Sequence, residues 1–155
     1  MTSKTGIEMV QEFHRKFDLP DGEGDHKHDL DAAGFRWKFL REEADEFMES
    51  LFPEEVMTCT YGELGGYTDT DKVHAFDALL DLAYVAYGTA LMMGITPQQW
   101  ADGFAIVHEH NMMKERAKSK EDSKRGSALD VIKPPGWTPP EPALYMLLCG
   151  DKRDV

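Results

Sequence analysis

The chain has 155 residues, 41% hydrophobic and 30% charged, which is enough for one soluble domain with a sizeable core. A formal net charge of −12 argues against a protein that binds nucleic acid through a basic surface. Because the sequence shows no cysteine framework, no apolar N-terminal run and no stretch of about 18 apolar residues, we expect a cytoplasmic protein without a zinc site or a membrane partner.

Hydrophobic residues recur at the three- and four-residue spacing of amphipathic helices in four segments. These predicted helices cover residues 5–17, 29–51, 71–93 and 97–117. Pro53 and Gly94 are typical of helix ends, and Thr96 with Pro97 is typical of a helix start. Residues 53–70 are long for a bundle connection, so we expect a short extra turn there. The predicted fold class is all-α, a four- to five-helix bundle.

The C-terminal region differs in composition from the helical part. Residues 118–130 are polar and charged, and residues 131–142 hold five of the eight prolines, which argues against a helix. The following "ALYMLL" is expected to form a short strand or a packed tail. We therefore predict a helical domain at 1–117 and an irregular arm at 118–155, packed on the same domain or on a neighbouring subunit.

The third predicted helix is apolar on nearly all sides but carries two aspartates. Asp77 and Asp81 are four residues apart and therefore project from the same face. Burying two carboxylates without a cationic partner costs several kcal/mol, so a cation must compensate them. The apolar surface of this helix also needs cover on every side, which favours packing against a second copy of the chain.

Further carboxylates lie in the second helix, in "REEADEFMES" at residues 41–50. Glu43 and Glu46 are predicted to face inward, with Glu42 further round, whereas Asp45 and Glu49 are predicted to be solvated. The residues leave two alternatives open. One is structural ion pairing of Asp77 and Asp81 with basic side chains of the second helix, namely Arg36, Lys38 or Arg41. The other is an all-oxygen site for Mg²⁺ or Mn²⁺.

The end of the fourth helix offers groups that suit phosphates. Asn111 and Lys114 are three residues apart and are predicted to share a face, as an amide donor beside an ammonium group. Seven basic and four acidic residues lie between Lys114 and Lys133, in a chain that is otherwise strongly acidic. The alternative is that these lysines only complement the dipole of the helix C-terminus.

The order of these motifs resembles that of a known family. "REEADEF", "DALLDLAYVAYGTALMMGI" and "VHEHNMMK" are similar to segments of the all-α nucleoside triphosphate pyrophosphohydrolases, the MazG-like and phosphoribosyl-ATP pyrophosphohydrolase-like family. "QEFHRKF" at 11–17, Arg36 before the acidic motif and "KPPGWTPPE" at 133–141 are similar to features of the phage-type branch. The resemblance extends over nearly the whole chain.

The resemblance implies a role for each of the residues selected above. Glu42, Glu43 and Glu46 match the family's EExxE motif, and Asp81 matches the last residue of its second acidic motif. Ala78 stands where a glutamate is commoner, and Asp77 takes that place. The implied roles fall into three sets: metal ligands Glu43, Glu46, Asp77 and Asp81; catalytic groups Glu42, Glu43 and Lys114; substrate contacts Asn111, Lys114, Arg36 and Lys38.

The implied activity is Mg²⁺-dependent hydrolysis of a (d)NTP to the monophosphate and pyrophosphate by a homodimer or tetramer. A purine substrate such as (d)GTP, in phage control of the nucleotide pool, is one expectation; dUTP and phosphoribosyl-ATP are alternatives. A non-catalytic helical oligomer with structural salt bridges is the hypothesis from another class. The candidate walls of a base pocket are aromatic, at Phe17, Trp37, Tyr84 and Trp137, although the sequence favours core packing for each of them.

Overall fold

The computed structural model describes residues 4–23, 30–51, 69–127 and 129–150. Within them the chain is mostly helical, with one small antiparallel sheet, which confirms the predicted all-α class. The elements are α1 (Gly6–Lys16), α2 (Leu30–Leu51), α3 (Asp69–Met92), α4 (Pro97–Met112), β1 (Glu115–Arg116), β2 (Val131–Ile132) and α5 (Glu141–Cys149). The first three helices begin and end within two residues of their predicted bounds.

Helix α1 begins at a capping box and packs against α3. The Thr5 backbone N–H and hydroxyl both donate to Glu8 Oε2, at 2.6 and 2.7 Å, which satisfies groups that the helix start leaves open. Ile7 and Val10 are almost fully buried on the side that faces the other helices. Beyond α3, Gly94 has φ +78°, so it adopts the left-handed conformation that ends helices readily at glycine.

Helices α2 and α3 form the main packing contact of the first unit of the chain, where small residues of α3 allow close approach. Ala75 and Ala78 are buried, and Arg36 of α2 donates from Nη2 to the Val85 carbonyl at 2.7 Å and from Nε to Thr89 Oγ1 at 3.1 Å. A long-range bond from a side chain to a helix carbonyl fixes the register between the two helices.

Gly88 is a point of close approach between the helices of this unit. A Cβ atom there would lie 2.8 Å from Arg36 Nη2 and 2.8 Å from His14 Nε2. His14 is 2% exposed, and its Nδ1 lies 2.5 Å from the Pro20 carbonyl oxygen, so the ring has little freedom to move away. A glycine is therefore required for side chains of α1 and α2 to meet the backbone of α3.

One face of α3 stays exposed in the single chain. Val73 and Phe76 are 64% and 61% exposed, and Leu80 and Tyr84 continue the same apolar face at helical spacing. Helix α3 is also long and apolar enough to cross a membrane, but the core helices of soluble proteins meet the same criteria of length and composition. This exposed face is consistent with the expectation from the sequence that α3 needs cover from outside its own chain.

The second unit contains α4, the two short strands and α5, and two sequence expectations are wrong here. The fourth helix ends at Met112 rather than at residue 117, because β1 follows and pairs antiparallel with β2 (Glu115 with Ile132). "ALYMLL" is helical in α5 rather than a strand or a packed tail. Pro142 lies in the first turn of α5, where a missing N–H is tolerated.

The compact units of the chain divide at residues 97 and 98, so α4 groups with the C-terminal region. The predicted boundary at 117 instead assigned this helix to the N-terminal domain, and the boundary stays a prediction. Helix α4 packs on α5: a Cβ at Gly103 would lie 3.5 Å from Leu144 and 3.6 Å from Leu147. Most of the predicted connection at 53–70 lies outside the described residues, and its last two residues begin α3.

Candidate active site

Four carboxylates of the two acidic motifs on α2 and α3 lie near enough to Glu43 for their charges to act on it. The pKa of Glu43 lies above its ordinary value, first because the side chain is partly desolvated. The next causes are the negative charges of neighbouring carboxylates, namely Glu46, Asp81, Glu42 and Asp77 in decreasing order. Burial and the neighbouring negative charges therefore both favour the protonated form of Glu43.

A concave site of about 360 Å³ lies along one side of this cluster. It is lined by Glu46, Glu49, Ser50, His74, Asp77 and Ala78. Carboxylates of α2 and α3 therefore face the same space. Glu46, Asp77 and Asp81 are exposed, so the predicted inward position of Glu46 and the predicted burial of the two aspartates are wrong for the single chain. Asp81 and Glu43 are not among its lining residues; each is three or four residues, about one helical turn, from a lining carboxylate.

Sequence reasoning missed two of these lining residues, since His74 and Ser50 were not selected. Glu49 is exposed as predicted, and it also lines the site. The signal in the sequence is spacing: His74 precedes Asp77 by three residues, and Glu49 follows Glu46 by three, so each extends a predicted ligand by one helical turn. Whether these residues reach the site depends on which side of α2 packs against α3. Spacing within one helix does not determine that side, so the sequence alone does not place them.

The structural ion pairs considered for the cluster are not formed among the described residues. Arg36 is engaged with Val85 and Thr89, and Arg41 pairs with Asp45 at 3.6 Å. No ion pair to Glu43, Glu46, Asp77 or Asp81 occurs in the described part of the chain. The negative charge of the cluster is therefore not compensated by basic side chains of these residues.

The chemistry of the donor set fits a hard divalent cation. All predicted ligands are carboxylates, which suit Mg²⁺ and Mn²⁺. The mutual repulsion at Glu43 is the kind of stress that a bound cation relieves. Within the described ranges, however, no group of three or more such side chains is arranged to hold a metal ion, so the structure supplies the donors without a coordination geometry.

Asn111 and Lys114 lie together in the second unit, although they do not share a face of one helix as predicted. Lys114 lies beyond the end of α4, and its backbone N–H donates to the Asn111 carbonyl at 3.1 Å, which closes a turn. Lys114 Nζ donates to Asn111 Oδ1 at 2.7 Å. The amide and the ammonium group form one polar unit at the helix end.

Of the remaining predicted substrate contacts and base-pocket walls, Arg36 is half-buried and burial lowers its pKa, while Lys38 is exposed. Arg36 already uses two donors on α3, so its role toward a substrate stays a prediction, as does that of Lys38. Phe17 and Trp37 are 52% and 64% exposed, which leaves their rings accessible on the first unit.

Comparison with protein families decides the relationship of the chain. A family model for phosphoribosyl-ATP pyrophosphohydrolase matches residues 10–111, more than half of the sequence. The chain belongs to this family. The match contains both acidic motifs and Asn111, and it ends before Lys114 and the C-terminal arm. No significant match to a curated protein was found.

Membership in the phosphoribosyl-ATP pyrophosphohydrolase family establishes the class of chemistry. The protein is an enzyme that hydrolyses a pyrophosphate bond in a nucleotide, on an all-α fold. Enzymes of the family generally depend on divalent metal ions and are soluble. The phage-type branch indicated by the sequence motifs stays a prediction.

Proposed function

We propose that the protein is a Mg²⁺-dependent nucleoside triphosphate pyrophosphohydrolase that converts a (d)NTP and water to a (d)NMP and pyrophosphate, with Mn²⁺ as the alternative ion. The observation that carries the proposal is the clustering of five carboxylates from α2 and α3 around Glu43, without a basic partner in the described residues. Such a cluster repels a triphosphate unless a cation lies between them. The family relationship supports a nucleotide as the substrate.

Four carboxylates are the proposed ligands: Glu43, Glu46, Asp77 and Asp81. The ion, when bound, supplies neutralisation of triphosphate charge and lowers the pKa of a water molecule toward neutrality. Glu42 or Glu43 orients the attacking water and accepts its proton. The raised pKa of Glu43 suits that role, because a general base works best when its pKa approaches the operating pH.

Water attacks the α-phosphorus, and pyrophosphate leaves. Lys114 stabilises negative charge on the phosphates, and Asn111, which accepts a hydrogen bond from Lys114 at 2.7 Å, holds that ammonium group in place. Arg36 and Lys38 are the further proposed substrate contacts.

For the base, the proposal is a purine such as that of (d)GTP, in phage control of the nucleotide pool. Exposed aromatic rings on the first unit, such as Trp37, offer surfaces on which a base can stack. The second candidate is phosphoribosyl-ATP, which the description of the matching family favours. Hydrolysis of dUTP is the remaining alternative from the sequence analysis.

We further propose a homodimer or tetramer in the cytoplasm. The apolar face of α3, with Val73, Phe76, Leu80 and Tyr84 exposed, supports a helix–helix interface between copies. Sedimentation equilibrium at micromolar concentration tests this point. A monomer at all concentrations would contradict it.

One assay tests the proposed activity. The protein is incubated with each (d)NTP and with phosphoribosyl-ATP in Mg²⁺ and ¹⁸O-labelled water, and the products are resolved by ³¹P NMR. The expected products are a monophosphate that carries the label and unlabelled pyrophosphate. Release of orthophosphate would contradict the reaction. No turnover of any nucleotide, together with no Mg²⁺ binding, would favour the non-catalytic oligomer.

A further inference from the structure

The second unit of the chain contains a concave site that the proposed acidic site does not use. It encloses about 590 Å³, within the range of small-molecule sites, and lies where β1 and β2 pair. The lining residues are Lys114, Asp122, Lys124, Arg125, Asp130, Val131, Ile132 and Lys133. Four of the six charged side chains are basic, in a chain whose net charge is −12.

The two carboxylates of this site are satisfied by their own surroundings. Asp130 accepts hydrogen bonds from Ser123 Oγ and Arg125 Nη1, both at 2.7 Å, and from the Val131 backbone N–H at 2.9 Å. Asp122 accepts from the backbone and the hydroxyl of Ser119. Both carboxylates are therefore occupied by groups outside the lysine set, and Arg125 is the basic residue that is neutralised.

Three ammonium groups have no ion-pair partner among the described residues, and Asp122 is the one lining carboxylate whose charge is not paired there. Lys114 donates to a neutral amide, and Lys124 and Lys133 form no ion pair within the described residues. Lys133 Nζ lies 4.1 Å and Lys114 Nζ 5.8 Å from the centre of the Trp137 ring. The indole Nε1 in turn donates to the His110 carbonyl at 2.8 Å. Two ammonium groups are thus gathered at one anchored ring.

We propose that this concave site, which we call the arm pocket, binds the diphosphate or triphosphate group of a nucleotide or free pyrophosphate. Lys114, Lys124 and Lys133 supply the charge, since clustered ammonium groups with no carboxylate partner are suited to a multiply charged phosphate anion. The proposal deepens the proposed function by adding Lys124 and Lys133 to Lys114 as groups that contact phosphate. It rests on that function only for the claim that the anion is a nucleotide or its pyrophosphate product.

Binding is measured by calorimetry on the full chain with inorganic pyrophosphate in EDTA, so that no divalent ion connects the anion to the acidic cluster. The wild type is expected to bind, more weakly as salt is raised. The double variant Lys124→Gln/Lys133→Gln is expected to lose about tenfold or more in affinity, since two charge-assisted contacts are removed. Lys118→Gln is the matched control, an exposed lysine of the same segment that does not line the pocket, and it should bind as the wild type does.

No binding by the wild type, wild-type affinity in the double variant, or an equal loss in Lys118→Gln overturns the proposal. A triphosphate analogue with an α,β-methylene bridge separates the two sources of the anion. A lysine-dependent preference for the analogue over pyrophosphate assigns the pocket to the substrate, and the reverse preference assigns it to the product. Lysine-dependent binding without turnover of any nucleotide would overturn the proposed function and keep the pocket. Turnover of a nucleotide by a protein that does not bind pyrophosphate would overturn the arm pocket and keep the proposed function.

Discussion

Two carboxylates in different parts of the molecule have pKa values shifted in opposite directions. The pKa of Glu43 on α2 is raised by desolvation and by the neighbouring acids. The pKa of Asp130, just before β2, is lowered, first by its hydrogen bond from Ser123 and then by the Val131 N–H and Arg125. In the arm, neighbouring groups donate hydrogen bonds to Asp130, whereas the neighbours whose charges act on Glu43 are other carboxylates.

The same contrast holds for the two concave sites. The site on α2 and α3 is lined by acids that have no basic partner in the described residues, and the arm pocket is lined by lysines that have no acidic partner there. A triphosphate with a divalent cation carries both complementary charges. The contrast supports the two separate proposals made above, cation binding on the helices of the first unit and anion binding in the arm pocket of the second.

The largest expected effect follows from removing single charges of the acidic cluster. Glu46→Gln and Asp81→Asn should each lower kcat by at least about 100-fold, because even groups that only support metal ligands contribute 10- to 100-fold. Circular dichroism should show an unchanged helical fold. Asp45→Asn is the matched control on the same helix, since Asp45 pairs with Arg41 on the surface. Full activity of both cluster variants would refute the assigned site.

A second substitution alters the packing that brings the acids together without changing any charge. Gly88→Ala should destabilise the protein by about 1–3 kcal/mol, because its Cβ would lie 2.8 Å from two side chains that are each held by another bond. Gly34→Ala is the control, with nothing within 4 Å of its Cβ, and should stabilise α2 by about 0.5–1 kcal/mol. Urea unfolding measures both changes, and equal stabilities would contradict the packing.

A lysine of the arm pocket is expected to affect binding of the substrate rather than its conversion. Lys133→Gln should raise KM for the triphosphate by about tenfold, since one charge-assisted contact is lost, and leave kcat within about twofold. Steady-state kinetics at fixed Mg²⁺ measure both constants. A fall in kcat at unchanged KM would place Lys133 in the chemical step and remove the proposed division between the two regions.

The smallest expected effects concern stability against pH in the metal-free protein. Since the folded pKa of Glu43 is raised, the native state binds more protons than the unfolded state, and stability falls as pH rises from the ordinary glutamate value through the raised one. Glu43→Gln should abolish that fall and gain a few tenths of a kcal/mol per like-charge contact removed.

Asp130 should behave in the opposite way. Its folded pKa is lowered, so its contribution is present above the ordinary aspartate pKa and is lost as pH falls through the lowered folded value. Asp130→Asn should remove this loss and leave a protein that is less stable at neutral pH. Thermal melts of the wild type and of both variants from pH 3 to pH 8 in EDTA give the slope of stability against pH that each residue contributes. Slopes of the same sign for the two residues would contradict the contrast.

The first three helices could be predicted from the sequence because local signals determine them. Apolar spacing, Pro53 and Gly94 act within one or two turns. The end of α4 could not be predicted, since it depends on pairing between Glu115 and Ile132, which are far apart in the chain. Helix α5 was missed because Pro142 was interpreted as a helix breaker, although a first-turn proline is compatible with a helix.

The pairing of acids within each helix was predictable for a similar reason, and their roles as ligands stay a prediction. Spacings of three and four residues place Glu43 with Glu46, and Asp77 with Asp81, on common faces. The target of Arg36 was not predictable, because a backbone carbonyl of another helix has no signature in the sequence. His74 was missed because its contact with the site depends on which side of α2 meets α3.

The central claim is that the carboxylates of α2 and α3 bind a divalent cation. Titration with Mn²⁺, followed by the electron paramagnetic resonance signal of the free ion, tests it on the full chain without nucleotide. The account predicts saturable binding by the wild type and by Asp45→Asn, competition by Mg²⁺, and loss of binding in Glu46→Gln and Asp81→Asn. Absence of binding in the wild type, or undiminished binding in both cluster variants, would contradict it.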